Sequence, residues 1–166
     1  MRSDIDIRPY HEEDSAAVFE FMVALQEHER TLDSHRTPGV EMAQAHIDVL
    51  NAHISAHEGL MLMAVHDGQP VGFLAGWVDE EFGELVPIPK RRYGYVADFY
   101  VSEAARGLGA GQKLMEAAEE HFRVLGLTDI RLFALSGNAI AHRFYELNGF
   151  APFEVLLSKP LLKPLG

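Results

Sequence analysis

Apolar and polar residues alternate with a period of two through "IDIRPY", residues 5–10, the mark of a half-buried strand. The period then lengthens. Val18, Phe21, Met22 and Leu25 share one helical face behind acidic Glu12, Glu13 and Asp14, which suit the positive end of a helix. "TLDSHRTPGV" is a polar loop leading to a second helix that runs to about His57, with Thr37 as cap and Pro38 in its first turn. In "LMLMAVHDGQPVGFLAGWV" two apolar runs flank "HDGQP", and Asp-Gly between such runs predicts an antiparallel hairpin. The charged, proline-bearing "DEEFGELVPIPKRR" is a loop. Residues 93–102 form a fourth strand rich in aromatic and β-branched side chains.

Between Gly109 and Leu125, Ala110, Leu114, Ala118, Phe122 and Leu125 fall on one face, while Gln112, Lys113, Glu116, Glu119 and Arg123 lie elsewhere. That is a third helix. "DIRLFALS" is a fifth strand, and a strand, helix, strand unit of this length implies parallel pairing through a right-handed crossover. "NAIAHRFYELNGF" gives a short helix stopped by Asn148 and Gly149, and "FEVLLS" a last strand, after which Pro160 and Pro164 discourage regular structure. No internal repeat or linker interrupts the 166 residues, a length that suits one domain.

Composition narrows the function. The chain has no cysteine, which removes disulfides, thiolate metal sites and cysteine nucleophiles and fits a reducing, cytoplasmic setting. "MRSDIDIRPY" lacks the apolar core of a signal peptide, and no stretch approaches the roughly 20 apolar residues of a membrane span. With 25 acidic against 14 basic residues the formal net charge is −11, which opposes binding to phosphate backbones. Nucleic acid is thereby disfavoured as a partner.

The chemistry concentrates in "ARGLGAGQKLMEAAEEHF". Glycine leaves the backbone open to a ligand, and Gly107, Gly109 and Gly111 precede or open a helix whose first amides lack internal partners. Such amides, at the positive end of the helix, make an anion site, and Arg106 adds a planar, permanently charged fork suited to phosphate. Two familiar phosphate motifs do not fit: Lys113 is neither preceded by glycine nor followed by Ser or Thr, and Gln112 stands where a dinucleotide fingerprint needs glycine.

The pattern that fits is Arg-x-x-Gly-x-Gly, residues 106–111, and here the chain resembles the GNAT superfamily of N-acetyltransferases. "DFYVSEAARGLGAG" is similar to that family's fourth strand and pyrophosphate loop. "NAIAHRFYELNGF" is similar to its later helix, with Asn138, Ala141, Phe144, Tyr145, Gly149 and Phe150 in place. The resemblance implies an α/β domain with a mixed, mostly antiparallel sheet of six to seven strands and helices on both faces. It further implies acetyl-CoA as donor, with the pyrophosphate held by Arg106 and the amides of Gly107, Leu108, Gly109, Ala110 and Gly111. The pantetheine arm would pair with backbone at Phe99, Tyr100 and Val101, with Asn138 and Ala141 on its other side.

Attack of an amine on a thioester requires a neutral nucleophile, and deprotonating a lysine-like amine at neutral pH costs about 4.6 kcal/mol. A base is therefore useful, and an acid for the departing thiolate contributes roughly 10²- to 10⁴-fold. The family match points to Tyr145 as the acid. Asp98, in the fourth strand, is the first candidate base, with Glu27 and Glu29 behind it. The expected acceptor is a primary amine, and "DEEFGE" would favour a cationic one. His46, His53 and His57 fall near one side of the second helix without a metalloprotease glutamate, so no metal is expected. "PKRRY" is either a surface loop or a contact for the adenosine-side phosphate. The apolar "VLLSKPLLKPL" suggests a homodimer contact. A non-catalytic acyl-CoA-binding module would keep the loop but need neither Tyr145 nor a base.

Overall fold

Asp67 and Gly68 both take positive φ, 50° and 75°, and so close the tight turn that Asp-Gly favours. The turn joins strands β2 (Leu60–His66) and β3 (Gln69–Glu80) in an antiparallel hairpin. The computed structural model describes residues 4–162. Around the hairpin, β1 (Asp6–Pro9) pairs with β2, and β4 (Arg92–Val101) with β3, all antiparallel, while β5 (Ile130–Leu132) lies parallel to β4. The strand order is β1-β2-β3-β4-β5. Four helices complete the chain: α1 (Ser15–Arg30), α2 (Gly39–Ala56), α3 (Ala110–Val124) and α4 (Ala139–Leu147).

Both faces of the sheet are covered, and the pleat sorts the side chains between them. In β2, Leu60 and Ala64 turn toward Leu114, Met115, Ala118 and Phe122 of α3, whereas Met61 and Met63 turn toward Val18, Met22, Ala43, Ile47 and Leu50 of α1 and α2. Leu74 and Phe73 in β3 divide in the same way. A strand buried on both sides reads as a continuous apolar run, which is why "LMLMAV" and "VGFLAGWV" carry so few polar residues.

The sheet has five strands rather than six to seven. β5 covers only three of the eight residues of "DIRLFALS", and residues 153–158, expected as a last strand, form no ladder. Both differences have one cause: a strand exists only where a neighbour supplies backbone partners, and beyond Leu132 and Pro152 none is at hand. Residues 1–3, Pro164 and the end of "VLLSKPLLKPL" lie outside the described residues. The cap of α2 also differs. Thr37 does not serve it; Pro38 occupies the cap position with φ −51° and ψ 137°, and the Glu27 carboxylate of α1 accepts from the Gly39 amide at 2.6 Å. Among the described residues no helix is long and apolar enough to cross a membrane.

Candidate functional site

β4 pairs with β3 along its whole length, but β5 pairs with β4 only at Gly94, Tyr95 and Val96. From Ala97 to Val101 the far edge of β4 has no strand partner, so backbone donors and acceptors face a gap. The parting follows a bulge: Ala75 lies opposite Asp98 and Gly76 opposite Val96, which leaves Ala97 as an extra residue and bends the strand. A cavity of about 580 Å³ fills the gap. Its walls are residues 96–101 of β4, residues 132–135 and the inner face of α4, with Leu25, His28 and Glu29 of α1 over one end.

The glycine loop closes the other end. Gly107 and Gly109 hold φ of 78° and 88°, a region that L side chains rarely adopt, and a Cβ built on either would meet nothing within 4 Å. The backbone is therefore open to a ligand there. The Leu108 amide turns back to the Ala105 carbonyl at 3.3 Å, and Leu108 does not line the cavity. The amides of Gly107, Gly109, Ala110 and Gly111 have no acceptor among the described residues, as expected at the start of α3. Arg106 donates from Nε to the Val101 carbonyl at 3.3 Å, and its Nη1 lies 3.7 Å from Glu103. The guanidinium stays half-exposed beside the loop. Gly111 packs so closely on Phe99 and Phe144 that a Cβ would approach both at 3.1 Å.

Two other expected contacts are more constrained than the sequence suggests. Asn138 caps α4, its side-chain oxygen accepting from the Ala141 amide at 3.2 Å, which fixes the amide and leaves its NH₂ group open to a ligand. Phe99 and Tyr100 point to opposite faces: Phe99 stacks near Phe144, ring centres 5.2 Å apart, and Tyr100 packs on Phe21 of α1.

Tyr145 lines the cavity from α4, held among Phe99, Phe144 and Phe150, and no described protein group bonds its hydroxyl. Burial, aided by the negative charge of Glu29, pushes its pKa up to about 12. Across the cavity, burial also raises the proton affinity of Glu29 despite the opposing effect of Arg36, whose Nη1 lies 2.6 Å away. Glu27 does not reach the cavity. Its carboxylate is spent on the Gly39 amide and Arg30, which hold its pKa low.

Asp98 is on the cavity wall, with its Oδ2 2.8 Å from His46 Nε2. The hydrogen bond to Asp98 raises the His46 pKa against the effect of burial. His53 and His57, which share a side of α2 with His46 in the sequence, stack elsewhere: the His53 ring centre lies 4.6 Å from that of Trp77 and 5.7 Å from that of His57. The three do not converge, and no group of metal-binding side chains assembles among the described residues. Of "PKRRY", Arg92 pairs with Glu58 at 2.5 Å and Arg91 donates to the Val86 carbonyl; neither these nor Lys90 line the cavity. In the acidic stretch, Asp79 accepts from the Tyr93 hydroxyl and Glu81 pairs with Arg131.

The site thus combines an anion-binding end, an unpaired strand edge, and a far end with Glu29, Asp98, His46 and Tyr145. Residues 19–150 match the family described as Acetyltransferase (GNAT) family. An uncharacterised N-acetyltransferase of Bacillus subtilis, YycN, is 27% identical over 105 residues, 63% of this chain and 63% of that protein, so the chain matches less than two thirds of that relative's length. Among solved structures, a tetramutant of the BH1408 protein from Bacillus halodurans superposes with a TM-score of 0.81 at 19% identity, over 94% of this chain and 99% of the other. A predicted acetyltransferase from Clostridium acetobutylicum, solved with acetyl-CoA, superposes with a TM-score of 0.70 at 15% identity over 95% and 96% of the two chains.

Proposed function

The chain belongs to the GNAT acetyltransferase family, and on that premise we propose that it transfers an acetyl group from acetyl-CoA to a primary amine by direct attack. One observation carries the reading. The open amides of Gly107, Gly109, Ala110 and Gly111, with Arg106 beside them, stand at one end of the same cavity that the unpaired edge of β4 and Tyr145 wall. A diphosphate suits the first, an amide-bearing arm the second, and a thioester the third.

Acetyl-CoA supplies the activated acyl carbon; the chain supplies position and proton transfer. Arg106 and the loop amides hold the diphosphate, and backbone at 99–101 pairs with the arm while the NH₂ group of Asn138 donates from the other side. Phe99 and Phe144 keep water from the arm. Glu29, on the cavity wall beside Arg36, takes the amine's proton, while the Asp98 carboxylate holds His46. Asp98 and His46 position α2 against β4 at the acceptor end. Tyr145, with its high pKa, stays protonated at neutral pH and gives its proton to the leaving sulfur. A cationic amine is favoured by the carboxylates of Glu29 and Asp98, both on the cavity wall.

The experiment is a coenzyme A thiol-release assay against a panel of amines, run beside calorimetric titration with acetyl-CoA. Binding with turnover on basic amines is the expected result. Tight binding without turnover on any amine supports a non-catalytic acyl-CoA-binding module instead, and turnover confined to acidic acceptors removes the cationic assignment.

A further inference from the structure

Three aromatic rings stand together on the face of the sheet that α1 and α2 share. Trp77 of β3 lies opposite Tyr95 of β4, with ring centres 5.2 Å apart and planes at 72°, and Tyr95 meets Phe133, just past β5, at 6.0 Å and 71°. The outer two rings therefore both stand across the middle one, and His53 of α2 stacks on Trp77 at 4.6 Å. Trp77 and Tyr95 are half-buried, and Phe133 is 82% exposed. Phe133 also walls the cavity between β4 and β5, so the row of rings begins at that cavity and leads away from it.

Two carboxylates flank the middle ring. The bulge at Ala97 turns Asp98 to the same face as Tyr95, where it reaches His46 of α2, and Asp79 lies two residues beyond Trp77 along β3, accepting from the Tyr93 hydroxyl at 3.3 Å. Burial, and then the charges of Asp98 and Asp79, raise the pKa of the Tyr95 hydroxyl, which no described group bonds. The next tyrosine on this face shows what such a ring holds. Tyr93, two residues earlier in β4, carries the Arg131 guanidinium 4.1 Å from its ring centre, and the Glu81 carboxylate completes the pair. No described lysine or arginine takes that place over Trp77, Tyr95 or Phe133. These rings and their carboxylates have the chemistry for a cation and none of the chain's own.

On the acyl-transfer reading, we propose that Trp77, Tyr95 and Phe133 form a second acceptor subsite, which holds an ammonium group carried on an extended chain away from the amine that reacts. The reacting amine lies in the cavity by Glu29, and the distant cation lies against the rings between Asp98 and Asp79. An acceptor of this kind is an aliphatic diamine or polyamine rather than a compact monoamine. An uncharged apolar tail would cover the same rings but leave both carboxylates without a counter-charge, which is why the geometry favours the cation.

Trp77 is the chain's one tryptophan, so its emission reads the subsite without any turnover. 1,8-Diaminooctane and octylamine, alike in length and different in charge, are titrated into the protein with coenzyme A bound, at about 0.15 M salt. A saturable change in emission is expected with the diamine at a concentration about 10-fold below that needed for octylamine. A chain of net charge −11 attracts any polycation, so the variant Tyr95→Leu, which removes a ring and no charge, separates the subsite from the general field. It should erase the preference while the far-ultraviolet dichroism is kept. Asp79→Asn should weaken the diamine several-fold and leave octylamine unchanged, and it carries the test if Tyr95→Leu does not fold. Equal titration by the two amines, or a preference that survives the variants, would overturn the proposal. The two readings fail separately. A diamine response in a protein that acetylates no amine would sink the transferase and leave the cation site, whereas acetylation of the diamine with Trp77 emission unmoved would do the reverse.

Discussion

His46 Nε2 lies 2.8 Å from Asp98 Oδ2, so a histidine in the middle of α2 is fastened to the strand residue just past the β4 bulge, at the cavity wall. The carboxylate raises the histidine's proton affinity in the folded state. The stability this contributes is fully present below the unfolded pKa of about 6.5 and is lost as pH rises through the folded value. Asp98→Asn should therefore lower the His46 pKa in an NMR titration. Its stability deficit, about 0.5–1 kcal/mol for a pair whose histidine is partly open to solvent, should be largest in acid and shrink as pH rises. A deficit independent of pH would show that Asp98 acts through packing alone.

Tyr145→Phe removes one hydroxyl from an aromatic cluster and leaves the packing with Phe99, Phe144 and Phe150. We expect turnover to fall roughly 10²-fold or more in the thiol-release assay, with acetyl-CoA affinity nearly unchanged. Wild-type turnover would dismiss the tyrosine as the acid.

Glu29 sets the acid limb of the rate profile. Burial raises its pKa, so kcat/KM should fall with decreasing pH at values above the ordinary carboxylate range of about 4.3. Glu29→Gln should flatten that limb and lower kcat by about 10²-fold. The sign for stability is opposite. A carboxyl with a raised folded pKa favours the fold below its unfolded pKa and loses that contribution as pH rises through the folded value, so the variant should compare better with wild type at pH 8 than at pH 4. An acid limb that survives in the variant assigns the proton acceptor elsewhere.

Far from the site, Arg8 grips buried Asp14 with two hydrogen bonds of 2.7 and 2.8 Å, and the His11 amide donates to the same carboxylate at 2.9 Å. These hold the Asp14 pKa low. The stability is present above the unfolded pKa of about 3.9 and lost as pH falls through the folded value. Asp14→Ala should cost about 3 kcal/mol at neutral pH, read by urea unfolding, and the difference from wild type should narrow in acid. An equal cost at pH 2 would remove the charge from the explanation.

Local features were legible in the sequence. The Asp67–Gly68 turn, the two-sided apolar strands and the glycine loop ahead of α3 each depend on residues within a few positions of one another. What escaped depends on partners far along the chain. The Glu27 carboxylate caps α2 from twelve residues away, and His46 meets Asp98 across 52. No local pattern marks either. The strand count erred for the same reason: "FEVLLS" has the composition of a strand, but composition does not supply the neighbouring backbone that turns an extended segment into one. At the loop, spacing identified the glycines and the arginine, while only the backbone geometry shows that the Leu108 amide turns away from the set.

Calorimetric titration of acetyl-CoA into wild-type protein and into Arg106→Ala tests the central claim most directly, because it reads the grip on the diphosphate without requiring an acceptor. The account predicts one site per chain, and a loss of roughly 10- to 100-fold in affinity for the variant, the worth of a charge-assisted contact. Equal affinity in the two proteins, or no binding to wild type, would contradict it.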